Sequence, residues 1–222
     1  MFAVDAVLCI SLHERTDRRD MLLGQFHALG LPIEFVLVER DAEDPERGCY
    51  HSHQRCAQLA IERGLQRVLI LEDDATFQPP TPAHLRRINR FLRLRNPGVF
   101  YLGGILGRMW RIPWPGVVRC RVTGCHAYML SAAACRRVLG MPFAGEAIDS
   151  VFAKRFKGYA AFPMLSEQQP EGQVSSDLAA ARSARLQGDA KVKDAAFWQR
   201  NRERQHESVR RNWDRTLLMR WL

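Results

Sequence analysis

The sequence predicts an α/β protein built on a central, mostly parallel sheet with a helical C-terminal tail, and three observations predict it. Apolar runs of strand length recur early, at Val4 to Leu12, Glu34 to Glu39 and Val68 to Leu71. Segments with helical spacing or helix-end signals separate them. Strand, helix, strand, helix, strand within the first 72 residues is the alternation that builds a parallel sheet.

Val4 to Leu12 is rich in β-branched residues and ends in Ser11-Leu12, so it reads as a buried strand. Glu14 to Ala28 is polar but carries Met21, Leu22, Gln25, Phe26 and Leu29 at helical spacing, and Gly30-Leu31-Pro32 stops it. After the second strand, Arg40 to Gly48 is acidic and loop-like. A helix is expected over residues 52–63, with Ser52 as N-cap and Gly64 as stop. Pro82 opens a basic helix to about Arg95, and Val99 to Leu102 is a strand closed by Gly103-Gly104. Val117 to Val122 and Ala127 to Leu130 read as further strands, followed by a helix from Ser131 to Leu139.

The composition, 46% apolar and 26% charged over 222 residues, is that of a globular chain. No run without Asp, Glu, Lys or Arg exceeds Val122 to Cys135, too short for a membrane span. The start, Met-Phe-Ala-Val-Asp, lacks the basic n-region of a secretory signal, so a cytoplasmic location is expected. The six cysteines, 9, 49, 56, 120, 125 and 135, show no CxxC pair and read as free thiols. Lys+Arg of 33 against Asp+Glu of 24 leaves a formal +9, which favours an anionic partner. There is no P-loop, no GxSxG elbow, no HExxH and no GxGxxG after a strand.

The sharpest chemical feature is Glu72-Asp73-Asp74, at the end of the Val68–Leu71 strand. Side chains alternate along a strand, so Glu72 and Asp74 point one way and Asp73 the other. Ligands of open parallel sheets bind at the carboxyl ends of strands. Adjacent carboxylates there suit a hard divalent cation, Mn²⁺ or Mg²⁺, held by Asp74 and Glu72. The plain alternative is a solvated acidic turn.

Gly48-Cys49-Tyr50-His51-Ser52-His53 is the second feature. Cys49, His51, His53 and Cys56 invite a zinc reading, but their spacing matches no paired CxxC or two-turn His set. Ser52 as a cap, a packed Cys49 and a His53 that hydrogen-bonds nearby or touches a ligand is the preferred reading. The third is Ser11 to Arg19, where Arg15 and Arg18 at a helix start offer a diphosphate cradle, or simply a solvated helix start with Asp17 pairing an Arg.

In order, these pieces resemble glycosyltransferase family 25, the lipooligosaccharide and collagen galactosyltransferase group. They are Ser11-Leu12 with Arg15 to Arg19, Gly48 to His53, Glu62-Arg63-Gly64 leading to Leu69-Ile70-Leu71-Glu72-Asp73-Asp74, Tyr101-Leu102-Gly103, His126 to Ser131, Ala147-Ile148-Asp149, and Pro163 to Asp177. The resemblance spans roughly residues 4 to 178. It implies a GT-A-like nucleotide-sugar fold, a UDP-hexose donor (usually UDP-galactose), a divalent metal and inversion at the anomeric carbon. It also implies that Glu72, Asp73 and Asp74 serve metal and donor, bordered by Ser11, Arg15, Arg18, Gly48, Ser52 and His53. The segment from Glu39 to Gly48 is shorter than the family's, and the middle with Trp110 and Trp114 departs from its pattern.

Asp149 is the candidate general base for the acceptor hydroxyl, with a helix N-cap as the alternative and Glu146 and Asp177 in reserve. The expected organisation is a catalytic domain over 1–178 and a basic helical extension over 179–222. In that extension Val209, Trp213, Leu217 and Trp221, beside Leu218, form an apolar stripe. It either packs on the domain, the favoured reading, or touches an anionic membrane, which would put the protein on the inner face of the plasma membrane. The expected partners are a UDP-hexose and a glycan or glycolipid acceptor, in lipopolysaccharide or lipooligosaccharide biosynthesis. The competing classes are a degenerate binder of nucleotide sugar or glycan and a basic nucleic-acid-binding module. Nucleic acid is not expected, because the Arg residues form no aromatic-interleaved patch.

Overall fold

The Val68–Leu71 run forms β3 (Arg67–Glu72), and its four apolar residues are fully buried. Successive side chains leave a strand on opposite faces. Val68 and Ile70 pack into one core, while Leu69 and Leu71 pack into another. That double burial is why β3 reads as a continuous apolar run rather than an alternating one. The protein is described from a computed structural model at residues 1–169 and 193–212.

β1 (Ala6–Leu12) pairs in parallel with both β2 (Ile33–Val38) and β3. Beyond β3 lie β7 (Ala127–Ser131), β4 (Val99–Tyr101), β8 (Gly158–Ala161), β6 (Val117–Thr123) and β5 (Ile105–Arg111), completing an eight-stranded sheet. β7 is antiparallel to β3 and β4, and β6 is antiparallel to β8 and β5, while β4 and β8 are parallel. All strands but β6 and β7 therefore share one direction, so the sheet is mixed and mostly parallel. The first core takes apolar residues from α2 (Pro45–Glu62), α4 (Ala132–Leu139) and α5 (Ile148–Arg155). The second takes them from α1 (Thr16–Phe26) and α3 (Pro82–Arg95).

Two features of the sequence reading need correction. Ser52 is not an N-cap: α2 begins at Pro45, and Asp44 caps it by accepting from the Glu46 and Arg47 amides at 3.1 and 3.2 Å. The acidic segment before it is an Asp-centred turn, with Asp41 accepting from the amides of Glu43 and Asp44 and from Arg47. β5 and β8 are strands that the sequence did not announce. β5 is irregular where Gly107 adopts φ +112°, and β8 is four residues long and starts with Gly.

The described part of the C-terminal extension is α6 (Ala195–Arg211), with Val209 and Trp198 buried. Val209 thus packs on the domain. Trp213, Leu217, Leu218 and Trp221, and the expected boundary at 178/179, lie outside the described residues. Among the described residues no helix is long and apolar enough to cross a membrane. No disulfide links the six cysteines, and all but Cys49 are buried.

Candidate active site

The chain passes from β1 outward to β2, then returns to place β3 on β1's other side. The carboxyl ends of β1 and β3 thus flank the point where strand order reverses, the position where open sheets bind ligands. Ser11, the penultimate residue of β1, lies beside the β3 terminus, where Glu72 is the last strand residue and Asp73 and Asp74 follow. These residues, with Arg18, Gly48, Ser52 and Cys49, line a cleft of about 150 Å³. A larger hollow of about 890 Å³ lies against α6, but its walls mix Arg111, Arg202 and Arg210 with Glu203 and Glu207 and hold none of the triplet.

Asp73 turns to α1, where Arg18 Nη1 donates to its Oδ1 at 3.0 Å, and both side chains are almost wholly buried. Burial pushes the Asp73 carboxyl up, offset in part by Ser11 and Arg18. Glu72 and Asp74 share a different neighbour. Gln168 Nε2 donates to Glu72 Oε2 at 3.3 Å and to Asp74 Oδ2 at 3.0 Å, and Lys193 Nζ donates to Gln168 Oε1 at 2.7 Å. The alternation expected along the triplet is therefore present in the structure.

Asp74 Oδ1 is buried and has no hydrogen-bond partner. Burial and the charge of Glu72 push the Asp74 carboxyl up. Glu72 moves the other way: burial alone would raise it, but His53, His126 and Lys193 together outweigh burial and hold it low. His53 Nε2 lies 3.3 Å from Glu72 Oε1, off the angle of a hydrogen bond. Two neighbouring carboxylates with opposed shifts, one with an orphaned oxygen, form an oxygen-donor set suited to a hard divalent ion.

Gly48 has a steric role, since a Cβ there would meet the Cβ of Asp41 at 2.8 Å. Ser52 is within α2 and its Oγ donates to the Gly48 carbonyl at 2.7 Å. His53 sits behind Glu72, fully buried, with Nδ1 2.9 Å from the Tyr128 hydroxyl. Arg15 is turned to Asp17 at 2.9 and 3.0 Å and does not line the cleft.

Asp149 also lies outside the cleft lining. It is in the first turn of α5, which Ala147 caps, so it is not the N-cap. Its Oδ2 accepts from the Gly124 amide at 2.9 Å, in the turn between β6 and β7. Of the reserves, Glu146 pairs with Lys154, and Asp177 is outside the described residues. Gln168 and Lys193 are the site residues that sequence reasoning missed. Gln168 lies within the Pro163 to Asp177 piece of the family resemblance without standing out in it, and the bridge between Ala75 and Gln168 brings it to the end of β3, where Lys193 donates to it.

These residues define an α/β protein with an acidic ligand cleft at the switch point of its sheet. Residues 38–107 match the family model of glycosyltransferase family 25 (LPS biosynthesis protein). That segment contains α2 and the acidic triplet, so the match supports the family resemblance and a glycosyltransferase. No curated protein sequence matches the chain. Among solved structures it is similar to A197 from STIV, at 11% identity and TM-score 0.49, covering 74% of this chain and 94% of that one. It is also similar to a glycosyltransferase involved in the glycosylation of the major capsid of PBCV-1, at 14% and 0.35, covering 60% and 63%. UDP-glucose pyrophosphorylase complexed with UDP-glucose matches at 13% and 0.41, covering 70% and 72%.

Proposed function

We propose that the chain is a metal-dependent, inverting hexosyltransferase. In this reading it moves a hexose, galactose by the family resemblance, from a UDP-sugar to a glycan acceptor in lipopolysaccharide or lipooligosaccharide assembly. The observation that carries this reading is the Glu72–Asp74 pair at the sheet's switch point, with Asp74 Oδ1 buried and unpartnered, inside the segment that matches the family. Mn²⁺ or Mg²⁺ held by Asp74 and Glu72 would supply Lewis-acid neutralisation of the diphosphate leaving group.

The chain's own residues have the remaining tasks. Arg18 and Ser11 present a donor cradle beside the triplet, and Asp73 fixes the Arg18 guanidinium in place. Asp149 takes the proton of the acceptor hydroxyl as the new C–O bond forms. Its Oδ2 is held by the Gly124 amide and its Oδ1 remains for that contact. One observation favours a second reading, a binder of nucleotide sugar without turnover: Gln168, itself held by Lys193, already donates to both members of the acidic pair.

The test is hydrolysis of UDP-galactose, UDP-glucose and UDP-GlcNAc with and without Mn²⁺, in the native chain and in Asp74→Asn. Turnover that needs Mn²⁺ and falls about a hundredfold or more in the variant is expected, since loss of one electrostatic group in an active site costs about 10²–10³. Wild-type turnover in Asp74→Asn would discard the metal role. Tight donor binding with no turnover on any acceptor would favour the binder.

A further inference from the structure

The corrected start of α2 has a chemical consequence. Because the helix begins at Pro45, Cys49 and His53 are four residues apart on one helical face, and that face meets the end of β3. One donor atom from each of Cys49, His53 and Glu72 falls within 4.8 Å of the others. We propose that Cys49 Sγ, His53 Nε2 and Glu72 Oε1 form a three-ligand site for a thiophilic transition metal of the zinc class. This site shares Glu72 with the hard-cation pair of Glu72 and Asp74, differs from it in its sulfur and nitrogen donors, and does not depend on the transferase reading.

His53 is the independent support. Its ring is fully buried, and Nε2 has no hydrogen-bond partner, lying 3.3 Å from Glu72 Oε1 without the alignment of a hydrogen bond. A buried ring nitrogen without a partner is costly and uncommon. The opposite nitrogen, Nδ1, is 2.9 Å from the Tyr128 hydroxyl, and Tyr128 is set by its β7 register against Ile70 of β3. Metal-ligating histidines are held in this way, with the outer nitrogen bonded to a fixed partner and the inner one aimed at the ion.

The donor chemistry selects the ion. A thiolate and an imidazole with one carboxylate suit zinc or cobalt and are poor ligands for magnesium or calcium. Three protein ligands leave a tetrahedral ion one open position. Cys49 and Glu72 both line the cleft, so that position and the route of entry are on the ligand side. Glu72 serves both sets without conflict, since Oε1 faces His53 and Oε2 faces Gln168. The other two histidine and cysteine candidates are excluded by position. His51 packs against Tyr50 and Phe143, and Cys56 is buried beside Cys135 in the core.

The experiment is a titration of the metal-stripped full chain with Co²⁺, read by absorption. A sulfur-to-cobalt charge-transfer band saturating at one equivalent is expected, with Zn²⁺ displacing it and Mg²⁺ leaving it unchanged. Cys49→Ser should remove the band, His53→Gln should weaken cobalt binding about tenfold or more, and Asp74→Asn should keep the band. No band in the native chain, or a band that survives Cys49→Ser, would overturn the site. Should Cys49→Ser fail to fold, alkylation mapping of the native chain decides the matter. Zn²⁺ must slow modification at Cys49 at least about tenfold, and equal rates with and without the ion would overturn the proposal.

Discussion

The two halves of the sheet treat their polar groups differently. In the parallel half, β2-β1-β3, the carboxyl ends of the strands open into a cleft, and Glu72, the last residue of β3, is ringed by side chains with incomplete bonding. Asp74, His53 and His126 each interact electrostatically with Glu72, and each keeps a buried atom without a hydrogen-bond partner. In the mostly antiparallel half, the outermost strand is closed by α6. Asn201 and Gln205 both donate to the Gly104 carbonyl, at 3.0 and 2.9 Å. The Gly104 carbonyl is filled, although the buried indole nitrogens Trp110 Nε1 of β5 and Trp198 Nε1 of α6 also lack hydrogen-bond partners. What sets the first half apart is that its incompletely bonded groups are a carboxylate and imidazoles gathered around Glu72 at one cleft, the kind of group a ligand or ion engages.

The comparison can be broken most forcefully at Arg18. Asp73 and Arg18 form a buried ion pair, with side chains 8% and 9% exposed. Arg18→Ala would leave the buried Asp73 carboxylate with only Ser11 to offset its burial, and removing one partner of a buried pair costs about 3–5 kcal/mol. Urea unfolding should show that loss. A change below about 1 kcal/mol would mean that Asp73 accepts a proton or rearranges at little cost, placing it with the open set rather than the closed one.

His126 tests the same contrast through pH. Burial pushes its imidazole down from 6.5 to about 4, so the ring is neutral in the fold at neutral pH. Between those values the unfolded chain binds more protons than the folded one, so stability falls as pH drops through 6.5 and levels off below about 4. The difference of about 2.5 corresponds to about 3 kcal/mol over the window. Unfolding free energies at several pH values should show this slope in the native chain, and His126→Asn should flatten it. An unchanged slope in the variant would assign the pH dependence to the carboxylates instead.

Asp149 comes next in size. Asp149→Asn should lower turnover about a hundredfold while donor affinity persists, because loss of a general base costs about 10²–10⁴. The amide oxygen of Asn can still accept from Gly124, so the β6–β7 turn should hold and the unfolding midpoint should barely move. Donor affinity that collapses with turnover would make Asp149 a positioning residue, with its work done through Gly124.

How much of this was legible in the sequence depended on whether local chemistry or tertiary contact decided the element. β3 could be read because burial on both faces leaves an apolar run, and its end placed the triplet correctly. α2 was legible in principle: Asp44-Pro45-Glu46 is an N-cap followed by Pro at the first helical position, but the surrounding acids made it look like a loop. Reading the helix from Ser52 then hid the Cys49–His53 spacing. β5 carries Arg108, Trp110 and Arg111 around a Gly107 bulge, so its residues show neither clean alternation nor an apolar run. Gln168 and Lys193 lie far along the chain from the triplet, and only the fold brings them to it.

The smallest expected effect lies at the closed edge. An outer strand presents unpaired backbone groups, and proteins cover such edges to prevent association. β5 is covered by side chains of α6 that imitate a neighbouring strand. The Met109 amide donates to Ser208 Oγ at 2.9 Å, and the Met109 carbonyl accepts from Asn212 Nδ2 at 3.1 Å, so one residue has both backbone groups satisfied by the helix. Asn212 also donates to the Ser208 carbonyl at 2.8 Å, which orients it at the end of α6. Replacing both residues, Ser208→Ala with Asn212→Ala, removes the two mimicked bonds without touching the cleft. Each such bond contributes about 0.5–1.5 kcal/mol net, so a loss of about 1–2 kcal/mol is expected by urea unfolding, with donor hydrolysis unchanged. The double variant should also self-associate more readily on light scattering, because β5 regains an open edge. Full stability and an unchanged scattering profile would show that the apolar contacts of Trp198 and Val209 hold α6 in place by themselves.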